Sequence, residues 1–442
     1  MSIPLSEIRN CFEGVIPSSI ATLDRDGIPN ISYLSQVVFV DDEHVALTNQ
    51  FFSKTAANVQ ETGEATVLVV DGRTGEQYEL DLTFDRSVRE GETFARLAAQ
   101  IQATGPQHGE GVAWSLRSAD IYRVRSCRRT PVQPPPEETP LRRGAADPLA
   151  CAARLASDLA VCTDPDAMLD SVLDGLHRGL DYANVILLLA DGPHDRLTTV
   201  GSRGYPAGGV GSEVPMGRGA IGAAALYAQP VRISDMSRGR RFAAAVQGEP
   251  ADAARSIPLP GLAEPQSQMA APMIGGGRLR GVLFAEDARR FRFTHADEAA
   301  MTIVAAQLAA SLRLWELEGQ TARPSPRTTP AHARPVSAFQ VRYYTFDDSL
   351  FIDGAYLIKG VPGRLLLYFL RAYSEAGRTE FTNRELRLDA ALRLPELKDN
   401  LETRLILLRR RLEEKGAPVR IARPARGRIR LELSGTPSLE VI

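Results

Sequence analysis

A chain of 442 residues is too long for a single hydrophobic core, and two to four domains is the expectation. Hydrophobic residues make up 44% and charged residues 24%, the balance of a soluble globular protein rather than a disordered or fibrous one. The net charge of −2 excludes bulk attraction to nucleic acid or membrane, yet it is uneven: residues 336–442 hold 19 Lys/Arg against 14 Asp/Glu, a net of +5 that leaves −7 on the rest. Cys11, Cys127, Cys151 and Cys162 show neither CxxC nor metal spacing, which favours a reducing compartment over a disulfide framework. The start, MSIPLSEIRN, lacks the layout of a secretory signal, and no apolar run approaches the roughly 18 residues of a membrane span. A cytoplasmic protein is expected.

The first block is mostly strand. VIPSSIATLDRDGIPNISYLSQVVFVDDEHVALTN reads as three strands, with turns at DRDG after Leu23 and DDEH after Val40. ATVLVVD and YELDLTFDRSV add two more, with helices over SKTAANVQETG and ETFARLAAQIQA. Several short strands with few helices point to a small barrel. In TNQFFSKTAANVQ a Ser-Lys-Thr triplet sits where a strand gives way to a helix. A lysine charge with hydroxyls and amide N–H groups at a helix start suits a phosphate, and the plain alternative is a helix cap beside a surface lysine. On IATLDRDGIPNIS, VDDEHVALTN, SKTAANV and ATVLVVD, this block resembles the FMN-binding split barrels of the pyridoxamine 5'-phosphate oxidase-like superfamily. The resemblance implies FMN held by Thr48, Ser53, Lys54, Thr55 and Asn58 across a homodimer interface, with deazaflavin or no ligand as open alternatives. The basic set that holds pyridoxal phosphate in the full oxidase is not found in the sequence.

SCRRTPVQPPPEETPLRRGAADP and EGQTARPSPRTTPAHARP, rich in proline and charge, read as linkers. They divide the chain into 1–127, a linker 128–146, 147–317, a linker 318–338, and 339–442. The second block alternates: helices over DPLACAARLASDLAVC and DAMLDSVLDGLHRGL, strands at NVILLLAD, RLTTVGSRGY, QPVRISD, SQMAAPMIGG and LRGVLFAED, then a long helix, THADEAAMTIVAAQLAASLRLWELEG. That helix exceeds what one sheet needs, and its surplus suits pairing with a second copy. FTHADE reads as a capping box, with Thr294 as N-cap and Asp297 three residues on. On SRGYP, PMGRGAIGAAALYAQPVRISDM, MAAPMIGGGRLRGVLFAED and FTHADE, residues 147–315 resemble a GAF domain. The resemblance implies a sensor for an unknown small molecule that dimerises through its terminal helices. Cyclic-nucleotide GAF domains carry Asn-Lys where this chain has Glu286-Asp287, although Phe293, Asp297 and Glu298 fit the later element, so a cyclic nucleotide is not implied. Cys151 and Cys162, on one helix, read as small core residues rather than chromophore anchors.

The third block opens with strands in YYTFDDSLFIDGAYLIKG. Helices follow over GRLLLYFLRAYSEAG, TNRELRLDAALR and LKDNLETRLILLRRRLEEKG, and VRIARPARGRIRLEL closes as a hairpin. Leu401, Leu405, Leu408 and Leu412 form an apolar stripe, and Asn400, Thr403, Arg404, Leu407 and Arg411 a second one. A basic helix followed by a basic hairpin outlines a winged helix-turn-helix, the helix entering the major groove of double-stranded DNA and the wing touching the backbone. On LFIDG, GRLLLYFLRAY, FTNREL and the LRRRLEE run, residues 343–433 resemble the DNA-binding domain of OmpR-type response regulators. The DNA-contacting candidates are Lys398, Asn400, Thr403, Arg404, Arg411, Arg426 and Arg428, while Arg409 and Arg410 are expected to pair with Glu413 and Glu414.

The six histidines are scattered, and the glycine-rich stretches GVGSEVPMGRG and MIGGGRLRG lack the lysine-hydroxyl ending of a phosphate-binding loop. No catalytic or metal constellation is expected. The fold expectation is therefore multidomain α+β: split β-barrel, α/β GAF sandwich with a long C-terminal helix, then winged helix-turn-helix. The functional expectation is a ligand- or redox-responsive transcriptional regulator, with a flavin-dependent oxidoreductase as the alternative.

Overall fold

The structure, a computed structural model, describes residues 3–34, 36–49, 54–104, 116–131, 147–191, 195–236, 257–321, 337–392, 401–425 and 427–442. The first block contains β1 (Ser18–Leu23), β2 (Pro29–Leu34), β3 (Val37–Phe39), β4 (His44–Asn49), α1 (Lys54–Thr62), β5 (Glu64–Val70), β6 (Gln77–Val88), α2 (Glu92–Thr104) and β7 (Ser118–Arg129). The DRDG turn forms because Asp24 Oδ1 accepts from the amides of Asp26 and Ile28, while Gly27 takes the left-handed backbone (φ 77°) that closes the turn. The seven strands pair in the order β2-β1-β5-β6-β7-β4-β3. Alternation along β5 and β6 buries Val67, Val69, Leu80 and Leu82, and a short 3-10 helix lays Leu5, Ile8 and Phe12 over them. ISYLSQVVFV carries two strands rather than one.

The arginine-rich SCRR is not linker: β7 runs to Arg129. Its charges form a cross-strand ladder, Arg125 to Glu64 at 2.8 Å, Arg128 to Glu79 at 2.5 Å, and Arg129 to Glu76.

The second block contains α3 (Pro148–Val161), α4 (Pro165–Asp174), β8 (Asn184–Asp191), β9 (Arg196–Arg203), β10 (Glu213–Pro215), α5 (Gly219–Tyr227), β11 (Val231–Ile233), β12 (Ser267–Gly275), β13 (Arg278–Asp287) and the 27-residue α6 (His295–Thr321). Asp147 and Asp164 cap α3 and α4. The expected capping box is present: the Asp297 carboxylate accepts from the Thr294 amide at 2.8 Å, and the Thr294 hydroxyl accepts from the Asp297 amide at 3.3 Å. The sheet runs β10-β9-β8-β13-β12-β11. One face buries Leu187, Met269 and Leu283 under Met301, Val304 and Leu308 of α6. The other buries Ile186, Val282 and Phe284 under α5 and under Ala99 and Ala103 of α2. Because Leu97 of the same α2 packs with Ala46 and Ile121 of the first sheet, this helix is shared between the two blocks.

The third block contains β14 (Ser337–Tyr344), β15 (Ser349–Ile352), β16 (Ala355–Ile358), α7 (Val361–Ala376), β17 (Glu380–Thr382), α8 (Asn383–Leu388), α9 (Leu401–Glu414), β18 (Val419–Ala422), β19 (Arg428–Leu433) and β20 (Gly435–Val441). The first sheet, β16-β15-β14-β20, includes a parallel β14/β20 pair that ties the end of this block to its start. In the second sheet, β17-β19-β18, the hairpin that follows α9 pairs with the strand between α7 and α8. Leu365, Phe369, Phe381, Leu405, Leu408 and Ile429 form the centre, and this core is continuous with that of the second block. Among the described residues no helix is long and apolar enough to cross a membrane.

Gly281, on the central strand β13, is required by close approach: an added Cβ would lie 2.1 Å from the Leu188 carbonyl oxygen. Gly281→Ala is expected to lower the stability of the second block by about 2 kcal/mol or more, read by chemical denaturation.

Candidate functional site

The site of most consequence is the outward side of α9. Leu401, Leu405, Leu408 and Leu412 are buried as the sequence predicts. Arg404 and Arg411, expected to face a DNA groove, are not displayed: they are 8% and 4% exposed. Arg411 Nε donates to the Leu357 carbonyl at 2.8 Å and Nη1 to Glu414 at 2.6 Å. The reason is angular. At 100° per residue, Arg404 lies roughly 70° and Arg411 roughly 90° from the centre of the leucine stripe, on its flank and not opposite it. The opposite side carries Thr403, Leu407, Arg410 and Glu414.

That opposite side is also covered, by the second block. Leu407 is only 5% exposed. Arg409 reaches Asp166 of α4 at 2.7 Å, and Arg410 meets Asp166 at 3.3 Å and Asp170 at 3.2 Å. Arg410 also donates to the carbonyls of Asp166 and Val200. Asp166 is 3% exposed and lies in the first turn of α4, where the helix dipole favours a carboxylate. Gly201 of β9 leaves the necessary room, since a Cβ there would lie 3.1 Å from Arg410 Nη1. The Val210 amide donates to Glu414, Lys359 meets Glu213 at 3.4 Å, and the Arg423 guanidinium stands 5.3 Å from the Trp315 ring centre. The expected Arg409–Glu413 pair is long, at 3.9 Å, while the side chain of Glu414 pairs with Arg411 and not with Arg410. Thr403 and Arg428 are half-buried, and Lys398, Asn400 and Arg426 lie outside the described residues. Asp166 and Asp170 went unnoticed in the sequence. The available signal was two carboxylates one helical turn apart, in the same chain as a run of three arginines.

A second seam joins the first block to the second. Arg232 of β11 donates to Glu13 at 2.8 Å and to Glu298 at 2.9 Å, Arg96 of α2 reaches Glu298 at 2.7 Å, and Arg73 reaches Glu13 at 2.9 Å. Burial works to raise both carboxyls, but the arginines around them outweigh it and hold Glu13 and Glu298 below their ordinary values. Burial, with Arg232 beside it, lowers His295 to about 4, so its ring is neutral near pH 7.

At the start of α1 the expected phosphate residues part company. Thr55 accepts from Asn30 at 2.9 Å and Asn58 donates to Thr22 at 3.1 Å, so both pin α1 to the sheet from buried positions rather than facing a ligand. Thr48 is half-buried, and its amide donates to the Gln36 carbonyl. Ser53 lies outside the described residues. Lys54 is accessible, its ammonium 3.5 Å from Asp24 in an exposed pair that costs little to break. Lys54 thus stands accessible at the first residue of α1, while Thr55 and Asn58 are turned to the sheet. In the second block, Asn184, Glu286 and Gln268 stand in one row across β8, β13 and β12. Glu286 accepts from Tyr205, Gln268 and the Leu262 amide, and no arginine or lysine among the described residues pairs with it. Burial raises this carboxyl against those hydrogen bonds. Among the described residues no group of three or more His, Cys, Asp or Glu is placed to hold a metal.

Residues 5–125 match the family described as pyridoxamine 5'-phosphate oxidase, and residues 164–312 match the GAF domain. The chain thus carries a pyridoxamine 5'-phosphate oxidase-like domain and a GAF domain. No curated protein matches it. Among solved structures, the chain is similar to an FMN-binding protein from Syntrophomonas wolfei subsp. wolfei (17% identity, 29% of this chain and 86% of that one, TM-score 0.24). It is similar to the GAF domain of Acinetobacter phosphoenolpyruvate-protein phosphotransferase (18%, 40% and 97%, TM-score 0.32). It is also similar to the free methionine-R-sulfoxide reductase of Neisseria meningitidis (22%, 40% and 98%, TM-score 0.32).

The depressed carboxyls Glu13 and Glu298 set a pH dependence for this second seam, between the barrel and the GAF domain. Their contribution is complete above the free glutamate value of about 4.3 and is lost as pH falls through the lower folded values. Between pH 6 and pH 3 the melting temperature of the native chain should therefore fall more steeply than that of Glu13→Gln, measured by scanning calorimetry.

Proposed function

We propose that the chain is a homodimeric, ligand-responsive transcriptional regulator whose DNA-binding helix is held against its own GAF domain until a signal releases it. One observation carries this reading: the outward stripe of α9, the side that would enter a groove if residues 343–433 are a winged helix, is covered by α4 and β9, with Arg409 and Arg410 held by Asp166 and Asp170. Release would expose Arg409 and Arg410 beside Thr403, with Arg420 and Arg428 on the hairpin. Arg404 and Arg411 would stay inside their domain. A DNA backbone offers those arginines the same charge-assisted partners that the two aspartates offer now.

Two exposed apolar stripes support the dimer. Ile303, Leu314 and Leu317 lie on the free side of α6, and Ile31 and Tyr33, 76% and 82% exposed, lie on the edge strand β2. The Asn184–Glu286–Gln268 row, with its uncompensated carboxylate, favours a ligand that brings hydrogen-bond donors to the GAF domain. In the barrel, Lys54 and the start of α1 would hold a flavin phosphate; a bound flavin supplies a redox-active ring.

Asp166→Asn combined with Asp170→Asn is expected to tighten binding to a labelled DNA duplex by about tenfold, with an affinity that falls steeply with salt, read by fluorescence anisotropy. If neither protein binds duplex in a salt-sensitive way, the regulator reading fails. For the barrel, Lys54→Gln should weaken FMN binding to the full chain by about tenfold in a flavin-fluorescence titration, and an unchanged affinity would remove Lys54 from the site.

A further inference from the structure

The seam between the barrel and the GAF domain holds a solvent-open cavity of about 60 Å³, lined by Arg9, Glu13, Gln36, Arg96, Arg232 and His295 among others. Roughly 10–15 Å³ of such space holds one water, so this cavity admits several waters or one small polyatomic group.

Its electrostatics are unbalanced. In the lining Arg232 pairs with both Glu13 and Glu298 and Arg96 pairs with Glu298, while Arg73, outside the lining, also reaches Glu13. Arg9 adds a further cation. It rests on the Phe39 ring at 4.6 Å, its Nε is buried without a hydrogen-bond partner, and it forms no ion pair among the described residues. A buried donor left unmade is costly, and the missing partner is an acceptor. Arg232, with its side chain 6% exposed, supplies the rigid back wall, and Gln36 and Gln100 add amide groups to the lining. His295 and Glu298 occupy the first turn of α6, whose dipole also favours a negative group there.

We infer that this cavity is a binding site for a small oxyanion, a phosphate-type ion or the carboxylate of a small metabolite, with Arg9 as its principal ligand. The lining comes from both domains: Arg9, Gln36 and Arg96 from the barrel, Arg232 and His295 from the GAF domain. An anion there would bridge them and act at the start of α6. The site is separate from the flavin-phosphate position at Lys54 and does not depend on it.

The test is calorimetric titration of the full chain, in chloride buffer at neutral pH, with inorganic phosphate and separately with acetate. Saturable one-to-one binding of either ion is expected. Arg9→Gln should weaken it by about tenfold, and Arg9→Lys should recover most of it. The ion that binds identifies the class. Absence of saturable binding with both ions, or equal affinity in Arg9→Gln, would overturn the assignment. Melting temperatures of the variants, measured alongside, separate lost binding from lost folding, and an Arg9→Gln protein that melts like the native chain yet binds equally well counts against the site.

Discussion

A buried carboxylate held by two arginines from another domain governs how this molecule is put together. Asp166 lies almost wholly out of water, between Arg409 and Arg410. Such an arrangement adds little net stability, because the desolvation of three charges offsets most of their attraction, while the loss of one partner leaves the others stranded. What it supplies is register: α9 can seat on α4 and β9 in one way. A seam of this kind is suited to switching, since the same arginines are satisfied equally well by water or by a polyanion.

The two seams are linked by one rigid element. Helix α6 begins at the Arg232–Glu298 cluster beside the barrel and extends for 27 residues, about 40 Å, to Trp315 and beyond, where Arg423 of the third block stacks. Its inner side packs on the sheet whose opposite face carries α5 and the shared helix α2. Any shift of the barrel against the GAF domain therefore meets the start of α6, and any shift of α6 along its axis meets the third block. The proposed coupling is mechanical contact between packed elements rather than a path inferred from distance alone.

Much of the local structure was legible from residue order. The Asp24 turn, the Thr294–Asp297 box and the leucine stripe of α9 follow from side-chain chemistry within a few residues, and the structure contains each of them. What failed was everything that depends on who the neighbour is. Arg404 and Arg411 share a stripe with Thr403 and Leu407 at coarse helical spacing, yet the extra angle buries both, with Arg411 bonded to Leu357 of β16. Thr55 and Asn58 look like phosphate ligands until Asn30 and Thr22 claim them. The arginines of β7 read as a charged linker because their partners lie tens of residues earlier, on β5 and β6. Periodicity identifies a face; it does not say whether solvent, ligand or another domain covers it.

The central claim is that α9 leaves the GAF domain when it engages DNA, and a distance measurement addresses it most directly. With Cys162 replaced by serine, spin labels at the exposed positions Ser157 on α3 and Ser438 on β20 would report the separation of the two domains by pulsed electron resonance. The account predicts one narrow distance distribution in the free protein and a second, longer population once saturating duplex is added. A distribution that stays unchanged while the DNA is demonstrably bound would contradict it.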